Sequence, residues 1–380
     1  MKSLIHLALI TGAVLSANAA DFTWTGGAVT QTNWDLPANW LPSTTGLYPL
    51  ANDIAIFGGT NAASSTVINL QSAANPLVTA QTVGQLVFQG SSAPAYTIGT
   101  NSNQTLKIHL EEHDVFEISR SIWRTADVES SQIFEADIEF EMSDSFWGHT
   151  IYNDSPNGSL TFNGNLVHTG GNDEILFGTD TGAMTVVNGM ILQTTVPINL
   201  NYAGNGTLVL NGVNNFSKKL EIGWGTLVLG PNASVSTASR IELWGPSDEN
   251  VFPILDTTAL NFTLLANQPV LIAYNPIGDG VSGLWKAGTI DITNGSVIFD
   301  SLFGEPADDS AYVFMTYSQL VGSQFASVQN IPAGYTIDYH YNGNSIALVQ
   351  VVPEPSVLAL ISLGAAVFGY RLRRVPSKKS

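Results

Sequence analysis

The chain has 380 residues, no cysteine, a formal net charge of −18 and only 12% charged side chains, about half the roughly 25% usual for soluble proteins. Without cysteine, disulfides, thiolate catalysis and cysteine-based zinc sites are excluded. Six of the 13 basic residues sit at the two ends (Lys2, Arg371, Arg373, Arg374, Lys378 and Lys379), so the body is strongly acidic and offers nucleic acid neither a basic stripe nor a basic and aromatic groove.

Residues 1–20 read as a signal peptide: Lys2, an apolar stretch from Leu4 to Leu15, then Ala17-Asn18-Ala19 as a small-x-small cleavage site. Cleavage is expected after Ala19, with the Sec export machinery as the first partner. Residues 21–59 follow as a tryptophan-rich segment, with Trp24, Trp34 and Trp40 set among Gly26-Gly27, Asn33, Asn39 and Pro42. Two roles compete for these tryptophans. They would either form an aromatic platform for sugar rings or plug the open end of a stack of strands, whose bare edge would otherwise recruit another chain.

From residue 60 to residue 303 short apolar or alternating runs recur between turn residues, as at Val83–Phe88, Leu106–Leu110, Ser159–Phe162 and Met184–Val187. The phrase Gly-Thr-Leu-Val-Leu occurs at Gly206 and again at Gly225, nineteen positions on. Such a run cannot bury its apolar side alone, and stacking coil on coil would make one continuous core. The fold class expected is therefore all-β, a β-solenoid (β-helix-like) with capping strands at its N-terminal and C-terminal ends and one short C-terminal hydrophobic helix. Asn-Gly pairs at Asn157, Asn163, Asn188, Asn205 and Asn211 are expected to make left-handed turns between strands. The stretch from Asn205 to Gly230 resembles the autotransporter-associated β-strand repeat of exported bacterial proteins, and Phe22-Thr-Trp-Thr-Gly-Gly27 resembles the opening segment of such proteins.

Residues 111–144 depart from the repeat and are dense in carboxylates. Phe134 to Met142 alternates perfectly, so a strand here puts Glu135, Asp137, Glu139 and Glu141 on one face, about 6.5 to 7 Å apart, and Phe134, Ala136, Ile138, Phe140 and Met142 on the other. Glu135, Asp137 and Glu139 are the candidate calcium ligands if a neighbouring coil completes the shell; the competing reading is a solvated acidic face. No other cofactor is expected.

Residues 304–351 read as a loop followed by the last strands, with Asn342-Gly343 as a hairpin signal before a C-terminal cap. Residues 352–380 then run Val352-Pro353-Glu354-Pro355-Ser356, fourteen uncharged residues from Val357 to Tyr370, and the cluster Arg371, Arg373 and Arg374. Fourteen helical residues span about 21 Å against about 30 Å of hydrocarbon, a marginal membrane anchor with its positive charge held in the cytoplasm. These three parts, in this order, resemble the PEP-CTERM sorting signal. The resemblance implies an exosortase as the processing partner, Pro353, Glu354 and Pro355 as its recognition residues, the arginines as a retention signal, transient anchoring in the inner membrane, and a final place at the cell surface or in the exopolysaccharide matrix.

An enzyme was weighed against the residues. Glycoside hydrolysis needs two carboxylates flanking one bond, whereas Glu135, Asp137 and Glu139 point the same way. A lyase would want a basic residue beside calcium carboxylates, and in the acidic segment only Arg120 and Arg124 offer one. His109, His113, His149, His168 and His340 have no zinc-protease spacing on a helix. The expectation is a non-catalytic structural or adhesive protein; the alternative is a polysaccharide-acting β-helix enzyme or a carbohydrate-binding protein.

Overall fold

The structure, a computed structural model, describes residues 20–28, 31–42, 47–58, 66–110, 120–142, 148–170, 174–245, 252–274, 282–301 and 311–351. It is a parallel β-solenoid of about 8 stacked turns. The first wall begins at Asp21–Trp24 and runs through Ile54–Gly58, Gln85–Gln89, Arg120–Arg124, His149–Asn153 and Glu174–Thr179 to Arg240–Leu243, Val270–Tyr274, Ser296–Ser301 and Ser327–Gln329. The second wall runs from Val67–Ile68 through Gln132–Phe134, Ser159–Phe162 and Met184–Val187 to Tyr312–Val321. Two long strands, Asn199–Leu210 and Lys219–Leu229, bend from the first wall into the second. A third wall, Ala80–Val83, Thr105–Leu110, Asp137–Met142, Leu166–His168 and Ile191–Gln193, closes the earlier coils.

The period of 2 in each strand sends alternate side chains inward, and parallel stacking aligns them coil upon coil. On the first wall one column runs Leu86, Ile122, Ile151, Phe177, Tyr202, Ile222, Leu243, Ile272 and Phe299, every member buried. Each such side chain contributes about 1.5 to 3 kcal/mol by leaving water. The repeated phrase is stacked on itself: Thr207, Leu208, Val209 and Leu210 pair in register with Thr226, Leu227, Val228 and Leu229.

The corners carry a finding that departs from the left-handed turns expected of the Asn-Gly pairs. Asn157-Gly158 does turn left-handed, with Gly158 at φ 67°. Gly164, Gly189 and Gly212, by contrast, have no such φ and are glycine because successive coils touch there. A Cβ on Gly189 would lie 2.1 Å from the carbonyl oxygen of Gly164, and one on Gly212 2.1 Å from that of Gly189. The preceding asparagines form a ladder: Asn188 Nδ2 donates to Asn163 Oδ1 and Asn211 Nδ2 to Asn188 Oδ1, both at 2.7 Å.

At the start, the strand Trp40–Leu41 folds back antiparallel on Asp21–Trp24. At the other end the parallel pairing continues through Ser327–Gln329, after which the hairpin Tyr335–Tyr341 and Ser345–Gln350 lies antiparallel on Tyr312–Val321. Its loop is the three residues Asn342 to Asn344 between the paired Tyr341 and Ser345, with Asn342 and Gly343 at φ 52° and 93°, left-handed values that asparagine and glycine tolerate. Among the described residues no helix is long and apolar enough to cross a membrane. The expected signal peptide with Ala17 and Ala19, and the expected C-terminal helix, lie outside the described residues.

Candidate functional site

Trp24, Trp34 and Trp40 are inside the molecule, each at most 1% exposed. Trp40 packs edge-on against Trp24 at 5.0 Å and against Trp34 at 4.8 Å between ring centres, and all three rings lie within 6.3 Å of Phe57 of the next coil. The indole nitrogens of Trp34 and Trp40 are satisfied internally, by Pro49 O and Trp34 O. Rings covered on this scale fill the end of the stack and present no face for a sugar.

The acidic run keeps its alternation but turns a corner: Gln132–Phe134 belongs to the second wall, Asp137–Met142 to the third, with Glu135 and Ala136 between them. Phe134, Ala136, Ile138 and Phe140 are buried. The carboxylates each have a protein partner. Glu135 accepts from Asn163 Nδ2 at 2.7 Å and Asp137 from the Asn165 backbone N–H at 2.7 Å, while Lys107 on the adjacent coil lies 3.3 Å from Glu139 and also pairs with Glu141. The Glu141 hydrogen bond is the main reason the Lys107 ammonium is held above its usual range. Among the described residues no three His, Asp or Glu side chains gather as a metal-binding group.

Arg124 is fully buried and donates to the carbonyls of Val128, Ser130, Ser155 and Asn157 and to Asn153 Oδ1. Burial pushes the guanidinium down to about 10, still protonated at neutral pH. Its role is to satisfy the carbonyls of a corner. His149 Nδ1 sits 2.9 Å from Ser121 Oγ, but both residues are fully buried, closed to any polymer. Burial first, then the nearby His168 and His109, pushes His149 well below its ordinary range.

The outer face of the first wall gathers residues that sequence reasoning did not group. Trp123 pairs in register with Tyr152 and Tyr152 with Gly178; Ala203, one position past the Phe177–Tyr202 pair, registers with Trp224. Trp244 follows the Ile222–Leu243 pair and donates its backbone N–H to Ile222 O at 2.8 Å. The aromatic members are half-buried, and Trp244 is 40% exposed. At one end the Arg120 guanidinium lies 4.1 Å from the Trp123 ring centre and 4.9 Å from that of Tyr152, and Trp123 Nε1 donates to Asp154 at 2.7 Å. The Tyr152 ring lies over Gly178, where a Cβ would come within 2.4 Å of Cε1. Alongside runs a lattice of charges, Lys219 stacked on Arg240 and Glu221 on Glu242, in which Lys219 bonds both glutamates and Arg240 bonds Glu242.

The fold and this wall define a class: a parallel β-solenoid, capped at both ends, with an aromatic and polar stripe on one outer face. Comparison with known proteins adds one motif, since residues 351–374 match the PEP-CTERM protein-sorting motif. That motif marks an exported protein with a C-terminal sorting signal and an exosortase as its processing partner. It covers Pro353, Glu354, Pro355, Arg371, Arg373 and Arg374, which lie outside the described residues. No curated protein matches the chain, and no solved structure does. The resemblance of the Gly-Thr-Leu-Val-Leu repeats to the autotransporter-associated repeat finds no support in these comparisons.

Proposed function

We propose that this chain is a non-catalytic structural or adhesive component of the cell surface or exopolysaccharide matrix, secreted through its N-terminal signal, held briefly in the inner membrane and released by exosortase processing. The observation that carries this reading is the sorting motif at residues 351–374, set immediately behind the capped end of the solenoid. A rod of stacked strands has many backbone hydrogen bonds and little internal motion, which suits a part that must persist outside the cell. Its acidity keeps it dissolved and apart from its own copies.

The test is localisation in the producing cell. Replacing Pro353, Glu354 and Pro355 together by alanine is expected to leave a longer, unprocessed chain in the membrane fraction, while the unaltered chain appears shortened in the surface or matrix fraction. Identical size and location of the two proteins would overturn the proposal.

A further inference from the structure

The aromatic column on the first wall is a feature that neither the sorting motif nor the packing of the core requires. Its members come from Trp123, Tyr152, Trp224 and Trp244; the Tyr152 ring covers Gly178, and Ala203 is the small residue between that ring and Trp224. Neighbouring coils are about 4.8 Å apart, so the column places one position per coil along about 24 Å of wall. This step is close to the advance per residue of an extended pyranose chain. Aromatic faces match the C–H faces of pyranose rings, and their hydroxyls need donors and acceptors beside those faces. Two adjoining columns supply them, Asn199 with Lys219 and Arg240, and Asn201 with Glu221 above the buried Glu242.

Charge decides between kinds of glycan. The basic strand residues on this outer face are paired with carboxylates, Arg120 with Asp154 at 3.8 Å, Lys219 with Glu221 and Glu242, and Arg240 with Glu242. The stripe is therefore locally neutral on a chain of net charge −18. A polyuronate would meet repulsion from the body and find Arg120, Lys219 and Arg240 already paired with carboxylates, whereas an uncharged chain is indifferent to both.

We propose that the outer face of the first wall is a binding site for a neutral polysaccharide lying along the solenoid axis, its sugar rings over Trp224 and Trp244 and its hydroxyls against the neighbouring polar residues. This rests on the proposed surface location and names the ligand class that the surface protein would hold. A glycan chain seated in this way makes a weak contact at each coil and gains affinity from their number, so binding should rise steeply with chain length.

The experiment is affinity electrophoresis of the full chain in gels containing hydroxyethyl cellulose or dextran as neutral probes and alginate as the acidic probe. Paired runs use the Trp224→Ala/Trp244→Ala double variant. Both tryptophans are partly exposed, so the variant is expected to keep its far-ultraviolet circular dichroism and melting midpoint; Ala203→Arg, which fills the small-residue position beside Trp224 and spares the tryptophans, is the second variant. Retardation in a neutral gel, weakened at least about tenfold in association constant by either variant (about 1.4 kcal/mol), is the expected result. Free migration in both neutral gels overturns the proposal, as does retardation that both variants leave unchanged or retardation in alginate alone. Loss of self-association in the variants, read by sedimentation without glycan, would assign the face to a second copy instead. Failure here with the protein still delivered to the surface leaves the exported-rod reading standing and removes the glycan site alone.

Discussion

Replacing Gly189 by alanine tests whether coil spacing at the Asn-Gly corner is set by direct backbone contact. The new Cβ would lie 2.1 Å from Gly164 O and 2.5 Å from its carbonyl carbon, distances no real Cβ adopts, so the two coils must part locally. That movement strains the Asn188–Asn163 and Asn211–Asn188 bonds at 2.7 Å and the backbone bond from Asn188 N to Phe162 O at 2.7 Å. Overpacking costs about 1 to 3 kcal/mol, and weakening one or two hydrogen bonds adds about 0.5 to 1.5 kcal/mol each. Gly189→Ala should therefore lose about 1.5 to 6 kcal/mol. Gly223→Ala is the matched control: its Cβ would meet Tyr202 O at 3.6 Å and Ala203 Cβ at 3.8 Å, ordinary contacts, and its φ is not left-handed. There alanine should gain about 0.4 to 1 kcal/mol by restricting the unfolded chain. Guanidinium unfolding followed by circular dichroism reads both as shifts of midpoint at constant slope. Equal midpoints for Gly189→Ala and the parent, or an equal loss in Gly223→Ala, would refute the contact argument.

Three further outcomes are expected. His149 titrates well below its unfolded value of 6.5 in the folded chain, so below pH 6.5 the unfolded state binds the extra proton; stability is fully present above that pH and falls as pH drops, with a slope approaching about 1.4 kcal/mol per pH unit for this one group. Unfolding measured between pH 7 and 5 should show this component in the parent and lack it in His149→Phe; parallel curves contradict the assignment. Trp40→Ala removes the ring between Trp24 and Trp34 and should cost about 3 to 5 kcal/mol in the first coils, seen as earlier proteolysis at the N-terminal end, and a protease pattern like the parent's would deny Trp40 its capping role. Calcium should leave the melting midpoint of the parent unchanged because Glu139 and Glu141 are held by Lys107; a calcium-dependent rise in the parent, measured by scanning calorimetry, would restore Glu135, Asp137 and Glu139 as ligands.

The sequence carried the solenoid plainly where one coil repeats another letter for letter, as at Thr207–Leu210 over Thr226–Leu229. It also carried the alternation of Phe134, Ala136, Ile138 and Phe140, because period 2 survives a corner between walls. It did not distinguish two uses of Asn-Gly: Asn342-Gly343 is a left-handed turn, whereas Gly189 answers to a carbonyl on another coil. Composition likewise could not separate a plug from a platform for Trp24, Trp34 and Trp40, since both need the same aromatic rings. The wall of Trp123, Tyr152, Trp224 and Trp244 was illegible because coil lengths vary. Leu86 registers with Ile122 but Tyr202 with Ile222, so no fixed interval joins residues that share a column. One signal was available in retrospect: within the strand Lys219–Leu229, Trp224 stands between Gly223 and Gly225, a bulky residue in register with the small Ala203 of the coil before.

The last described bond of the fold has a consequence for how the molecule is made. Val351 N still donates to Gly334 O at 2.7 Å, and Pro353 comes two residues later. A chain gains at most about 3.3 to 3.6 Å per residue, so the proline is tethered within about 7 Å of the finished hairpin. If Pro-Glu-Pro is what the exosortase reads, as the proposed function has it, the enzyme works with almost no slack and meets the finished hairpin at its own surface, or acts before that hairpin closes.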